Sequence, residues 1–119
     1  MEENQYFQLS WHGNVAVVVP SQSVETMSDP QIESAAELVL APLRRRAPAD
    51  VIIDLSEVSF FGTSFLSFLL RCHKIVRPQG SELVLAGCTD KVKELLHIMN
   101  FDTLWAIYDS RQEALEALR

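Results

Sequence analysis

Apolar residues recur along this chain with two periods, one near two and one near 3.6, and the switches between them divide it into elements. Tyr6 to Trp11 alternates weakly, His12-Gly13-Asn14 has turn chemistry, and Val15 to Pro20 is short and β-branched. Together they predict a two-stranded hairpin around Gly13-Asn14. A polar stretch follows. Asp29 reads as a helix N-cap and Pro30 as the first helical residue. Ile32, Ala35, Ala36, Val39 and Leu43 then recur at helical spacing. Pro42 interrupts that pattern, predicting a kink or an early end, and Ala47-Pro48-Ala49 closes the region.

Val51 to Leu55 is a nearly continuous apolar run, as expected of a central strand covered on both faces. Ser81 to Gly87, entered through Pro78-Gln79-Gly80, reads the same way. Thr89 or Asp90 starts a helix whose stripe is Val92, Leu95, Leu96 and Met99, and Asn100 can end it in the left-handed conformation. Thr103 to Asp109 reads as a last strand. Ser110 to Glu113 has the form of a capping box, and Ala114, Leu115, Ala117 and Leu118 continue a final helix. Strands thus alternate with helices after an initial hairpin. This predicts an α/β fold with a single-layer mixed β-sheet of about five strands and about four helices, forming one domain over residues 1–119.

The stretch from Asp54 to Lys74, DLSEVSFFGTSFLSFLLRCHK, carries the candidate chemistry. At about 100° per residue, Phe65, Leu69, Cys72 and Val76 gather on one side, flanked by Leu66, Phe68 and Ile75. Ser64, Ser67, Arg71 and Lys74 form an opposite, exposed stripe. Leu70 falls outside the apolar arc and is a candidate partner contact. Gly62, Thr63 and Ser64 stand at the helix start. Hydroxyls there commonly cap the helix. The free N–H groups and positive dipole end also favour an anion, so a phosphate on Thr63 or Ser64 is electrostatically tolerated.

Composition narrows the choices. Net charge is −6 with a pI near 4.9, which disfavours non-specific nucleic-acid binding. Arg44, Arg45 and Arg46 form the one basic run and complement a helix C-terminus. With 119 residues, nearly half hydrophobic, the chain can bury a core without metals or disulfides. The two cysteines and the start MEENQYFQLS, without a basic and apolar leader, lead us to expect a reduced, cytoplasmic setting. No Cys/His spacing fits a metal site, and no glycine-rich loop fits a phosphate, so no cofactor is expected. Cys72 reads as packing. Asp54 reads as a strand-end carboxylate bonding a nearby backbone N–H. Trp11 and Trp105 read as core or edge residues of strands.

The run VIIDLSEVSFFGTSFLSFLL resembles the central motif of the STAS domains, the anti-sigma-factor antagonist family. That family shows a hydrophobic strand, Asp-Leu-Ser, hydrophobic positions, then Asp-Ser-(Ser/Thr)-Gly-Leu opening a helix. Asp54-Leu55-Ser56 match, Val58 and Phe60 stand at the hydrophobic positions, and Leu66 stands at the leucine. The later GSELVLAGCTDKVKELLHIMNFDTLWAIYDSRQEAL resembles the family's closing half, so the likeness runs from about Tyr6 to Leu118. Gly62 replaces the aspartate. Phe65 replaces the glycine and adds bulk beside the hydroxyl pair Thr63-Ser64. PSQSVETMSDP stands where the family has Gly-x-Leu-Asp.

The resemblance implies a STAS-like fold and a non-enzymatic signalling protein of bacterial transcription control. Its partner would be a serine/threonine kinase that is also an anti-sigma factor, or a related switch protein. By position, Thr63 is the phosphoacceptor and Ser64 its neighbour. The partner-binding residues are then Gly62, Thr63, Ser64, Ser67, Leu70, Arg71 and Lys74. Neither direct nucleic-acid contact nor membrane insertion is expected. Two competing readings are a constitutive scaffold, such as a subunit of a lipid ABC-transport complex, and a small enzyme or nucleotide-binding domain. The missing phosphate loop and acid–base set argue against the last.

Overall fold

The computed structural model of the chain describes residues 6–46 and 48–118. β1 (Phe7–His12) and β2 (Val15–Pro20) form the antiparallel hairpin, with Gly13 at the turn in a left-handed conformation, φ 62°. β3 (Asp50–Asp54), β4 (Leu83–Ala86) and β5 (Ile107–Tyr108) add in parallel, so the strand order is simply 1-2-3-4-5. The helices are α1 (Asp29–Arg45), α2 (Thr63–Val76), α3 (Asp90–Ile98) and α4 (Arg111–Ala117). Among the described residues, the mixed five-stranded sheet and four α-helices agree with the α/β architecture expected from sequence.

The sheet is covered unequally. Ala16, Val18, Val51, Ile53, Leu83 and Leu85 point to one side, into a large core built with α1, α2, α3 and Trp105. Val15, Val17, Val19, Ile52, Val84 and Ala86 point to the other side, where α4 supplies Ala114 and Leu115 and its C-cap supplies Leu118. Burial on both faces explains the unbroken apolar runs of β2 and β4.

Several local expectations are corrected. Ser28, not Asp29, caps α1: its hydroxyl accepts from Gln31 N–H while Gln31 Oε1 accepts from Ser28 N–H, a reciprocal box that places Pro30 in the first turn. Pro42 does not end the helix, because Arg46 N–H still reaches the Pro42 carbonyl at 3.0 Å. The carbonyl that Pro42 leaves without a donor belongs to Leu38, on the exposed side of α1, where water can serve it. The helix ends at Arg45, and Ala47 lies outside the described residues. The strand expected over Ser81–Gly87 is confined to Leu83–Ala86.

The last strand is shorter still, two residues in place of the Thr103–Asp109 run. α3 closes as expected, with Asn100 at φ 64° and Phe101 N–H bonded to the Leu96 carbonyl at 2.8 Å. That closure turns the chain toward the core. Trp105 therefore sits in a bend, buried and stacked on Phe101, instead of in a strand. Of the Ser110 capping box, the half in which Ser110 Oγ accepts from Glu113 N–H is present.

Candidate functional site

The connection from β3 to α2 carries the candidate acceptor, and it is tied down at three points. Leu55, Val58 and Phe61 are buried, and Val58 N–H bonds the Leu55 carbonyl at 3.1 Å. Ser59 donates both its N–H (2.7 Å) and its hydroxyl (3.0 Å) to Glu25 Oε2, on the 3₁₀ turn Gln22–Glu25. Asp54, 4% exposed at the end of β3, accepts from Ser56 N–H through Oδ1 at 3.0 Å. Its Oδ2 accepts from Nε and Nη2 of Arg111, each at 2.9 Å, across the sheet end at the start of α4. Gly87 makes room for this carboxylate. A Cβ there would lie 2.8 Å from Asp54 Oδ1, on a backbone with φ 67°.

The strand-end role expected of Asp54 is therefore observed, with an arginine partner that sequence reading missed. Ser110-Arg111-Gln112-Glu113 stands out in the sequence only as a capping box. Glu25 was missed too, although an apolar–acid pair, Val24-Glu25, survives inside the segment that departs from the family's Gly-x-Leu-Asp. Val24 is buried and Glu25 supplies the carboxylate.

At the head of α2, the capping expectation for Thr63 and Ser64 is overturned. Gly62 is the N-cap, extended at φ −104° and ψ −166°, with no side-chain cap. Thr63 and Ser64 lie one step inside, as the first two helical residues, so neither hydroxyl reaches back to cap. The first in-helix bond is Leu66 N–H to the Gly62 carbonyl at 3.2 Å, which leaves the N–H groups ahead of it without a helical acceptor. Thr63 is exposed and Ser64 half-buried, and among the described residues neither hydroxyl has a hydrogen-bond partner. The space beside Gly62 is open: nothing lies within 4 Å of a Cβ built on it.

The angular plot of α2 holds on its buried side. Phe65, Leu66, Phe68, Leu69, Cys72 and Val76 are all buried. Phe65 does not crowd Thr63. It points into the core, its ring centroid 5.2 Å from Phe61 and 6.4 Å from Phe7. Phe60, placed by the resemblance at a hydrophobic position, is 55% exposed, because Phe61 takes the inward place.

On the outer stripe, Ser67 and Lys74 are exposed and Ser64 is half-buried. Arg71 is engaged with α1, donating to Glu37 at 2.7 Å. Leu70 is half-buried against the main core. Glu37 also receives Arg44 at 3.3 Å. Arg44, opposed by desolvation and joined by Arg71, holds its carboxyl below the usual range. Arg46 lies over the Trp11 ring, 3.8 Å from its centroid.

Other chemistry is weak. Burial pushes the Cys72 thiol up to about 12 and the Cys88 thiol up to about 11, so neither is a ready nucleophile. Among the described residues no cluster of His, Cys, Asp or Glu could hold a metal ion, and no helix is long and apolar enough to cross a membrane.

Comparison with known proteins agrees with this geometry. Residues 6–114 match the STAS domain family. An anti-sigma-factor antagonist (STAS) domain protein from Planctomyces limnophilus superposes with a TM-score of 0.83 at 27% identity, covering 94% of this chain and 97% of its own. The unphosphorylated anti-sigma factor antagonist SpoIIAA gives 0.75 at 17% identity, covering 95% and 96%. A chain from the stressosome, a signal integration and transduction hub, gives 0.74 at 20% identity, covering 93% and 95%. A search of curated proteins finds no match.

Proposed function

The chain belongs to the STAS domain family, and we propose that it is a non-enzymatic, cytoplasmic signalling module of the anti-sigma-factor antagonist type. Its partner is a serine/threonine kinase anti-sigma factor or a related switch protein. Binding uses the head and outer stripe of α2: Gly62, Thr63, Ser64, Ser67, Leu70, Arg71 and Lys74, with Phe60 beside them. Phosphorylation of Thr63 toggles that binding.

One observation carries this reading. Thr63 is an exposed, unbonded hydroxyl at the first position of a helix whose leading N–H groups are free. Phosphorylation there breaks no native hydrogen bond. The helix end stabilises the added charge within the chain, while that same charge burdens an interface that has to desolvate it. The folds of SpoIIAA and of a stressosome chain support a protein partner.

The test pairs the protein with candidate kinase partners and maps phosphate by mass spectrometry. Modification at Thr63, lost in Thr63→Ala, is expected. Thr63→Asp should weaken the partner complex about tenfold or more, roughly 1.4 kcal/mol. A stable complex indifferent to Thr63→Asp would instead mark a constitutive scaffold.

A further inference from the structure

A second device lies near the far end of α2, and it does not depend on the reading of Thr63. Trp105 is buried, so its indole N–H needs a partner inside the protein. That partner is His73 Nδ1, at 3.1 Å, with the two rings edge-on and their centroids 6.0 Å apart. An indole nitrogen only donates, so Nδ1 must carry a lone pair and the imidazole proton sits on Nε2. His73 lines an open cavity of about 330 Å³ with Arg77, Glu82, Leu104 and Trp105, so water and protons reach the ring.

We infer that His73 and Trp105 form an acid-sensitive latch: a proton added at Nδ1 turns the acceptor into a donor, and the indole N–H then faces another N–H and is released. The latch ties down Trp105 within the bend that stands where the first half of the last strand was expected, so release loosens the Phe101–Trp105 stack, while the ends of the bend stay bonded, Phe101 N–H to the Leu96 carbonyl and Leu85 N–H to the Ala106 carbonyl. The charged groups that line the cavity with the ring are Arg77, which opposes the proton, and Glu82 from the connection to β4. Burial first, and Arg77 second, already hold His73 below the ordinary histidine range. At neutral pH the latch is therefore closed, and it opens below that range.

The experiment follows the Trp105 indole N–H resonance of the intact chain by NMR, together with the His73 ring signals, from about pH 8 to about pH 5. The expected result is one shared titration, with indole hydrogen exchange, corrected for the intrinsic effect of pH, about tenfold faster at its acid end. Amides of β2 and β3 should stay protected throughout. His73→Asn places Oδ1 near the Nδ1 position, so it keeps the acceptor without titrating, and should leave the indole signal flat over this range. An indole signal that ignores the His73 titration would overturn the latch. So would a His73→Asn protein that keeps the wild-type pH response, which would assign the effect to His12 or His97.

Discussion

Gly62 and Gly87 look alike in the sequence and stand in opposite situations. At Gly62 the backbone is extended and the space is open, so the aspartate that the family carries there fits. Gly62→Asp should stabilise the protein by a few tenths of a kcal/mol, through a cap and the helix dipole. At Gly87 the backbone is left-handed and a Cβ would strike Asp54, so Gly87→Ala should destabilise by about 2–4 kcal/mol. Urea unfolding of the two variants checks both signs. Arg111→Met should cost about 1–3 kcal/mol, because Asp54 Oδ2 is left buried without a donor while Oδ1 keeps Ser56 N–H. The same measurement on the Asp54→Asn, Arg111→Met double variant should show strong non-additivity. His97 and Asp102 form an exposed pair, 2.7 Å between Nδ1 and Oδ2. Asp102 raises the His97 pKa above 6.5, and His97 lowers that of Asp102 below 3.8. A raised histidine binds its proton more tightly when folded. Its stabilising contribution is therefore full below 6.5 and is lost as pH rises through the folded value. The Asp102 contribution is present above 3.8 and fades as pH falls through its lowered folded value. His73 runs the other way from His97: its folded pKa is lowered, so its contribution is lost as pH falls below 6.5. Asp102→Asn should return the His97 titration, read by NMR, to the ordinary range and leave His73 unmoved.

Among the elements, α1 shows how a local signal is overruled. Pro42 removes a helical hydrogen bond, yet Val39, Leu40 and Leu43 are buried on either side of it, and that burial outweighs one lost bond. Pro42→Ala restores the N–H for the Leu38 carbonyl and fits the space that the proline ring already occupies. It should stabilise the protein by about 1–2 kcal/mol, the regained helix bond being partly offset by a more flexible unfolded chain. Thermal unfolding followed by circular dichroism reads that gain. α2 is the most legible element, since one angular plot includes every one of its buried residues. β5 is the least legible, because Thr103 to Asp109 has strand composition and only the closure of α3 turns Trp105 inward.

Over the molecule as a body, the two cysteines report on different depths of the fold. Cys72 is buried in the main core and its thiol is pushed up to about 12, while Cys88 is half-buried and pushed up to about 11. At mildly alkaline pH, Cys88 should react slowly with a thiol reagent in the native state. Cys72 should react only through global opening, at a rate that follows urea-induced unfolding. Mass spectrometry of partly modified protein separates the two, and early labelling of Cys72 would contradict a single cooperative core.

Read without coordinates, the amino-acid order specifies the succession of strands and helices, the buried face of α2 and the mixed sheet, because these follow from short-range periodicity and turn chemistry. It also marks Thr63, through a motif contiguous in the chain. Folding alone reveals that Gly62 is the cap, that Phe60 faces outward, and that Glu25 holds Ser59 and Arg111 holds Asp54. The physical reason is range. Those last two contacts join residues 34 and 57 positions apart, and a charged side chain shows no sign, from its neighbours in sequence, of the partner that folding brings to it.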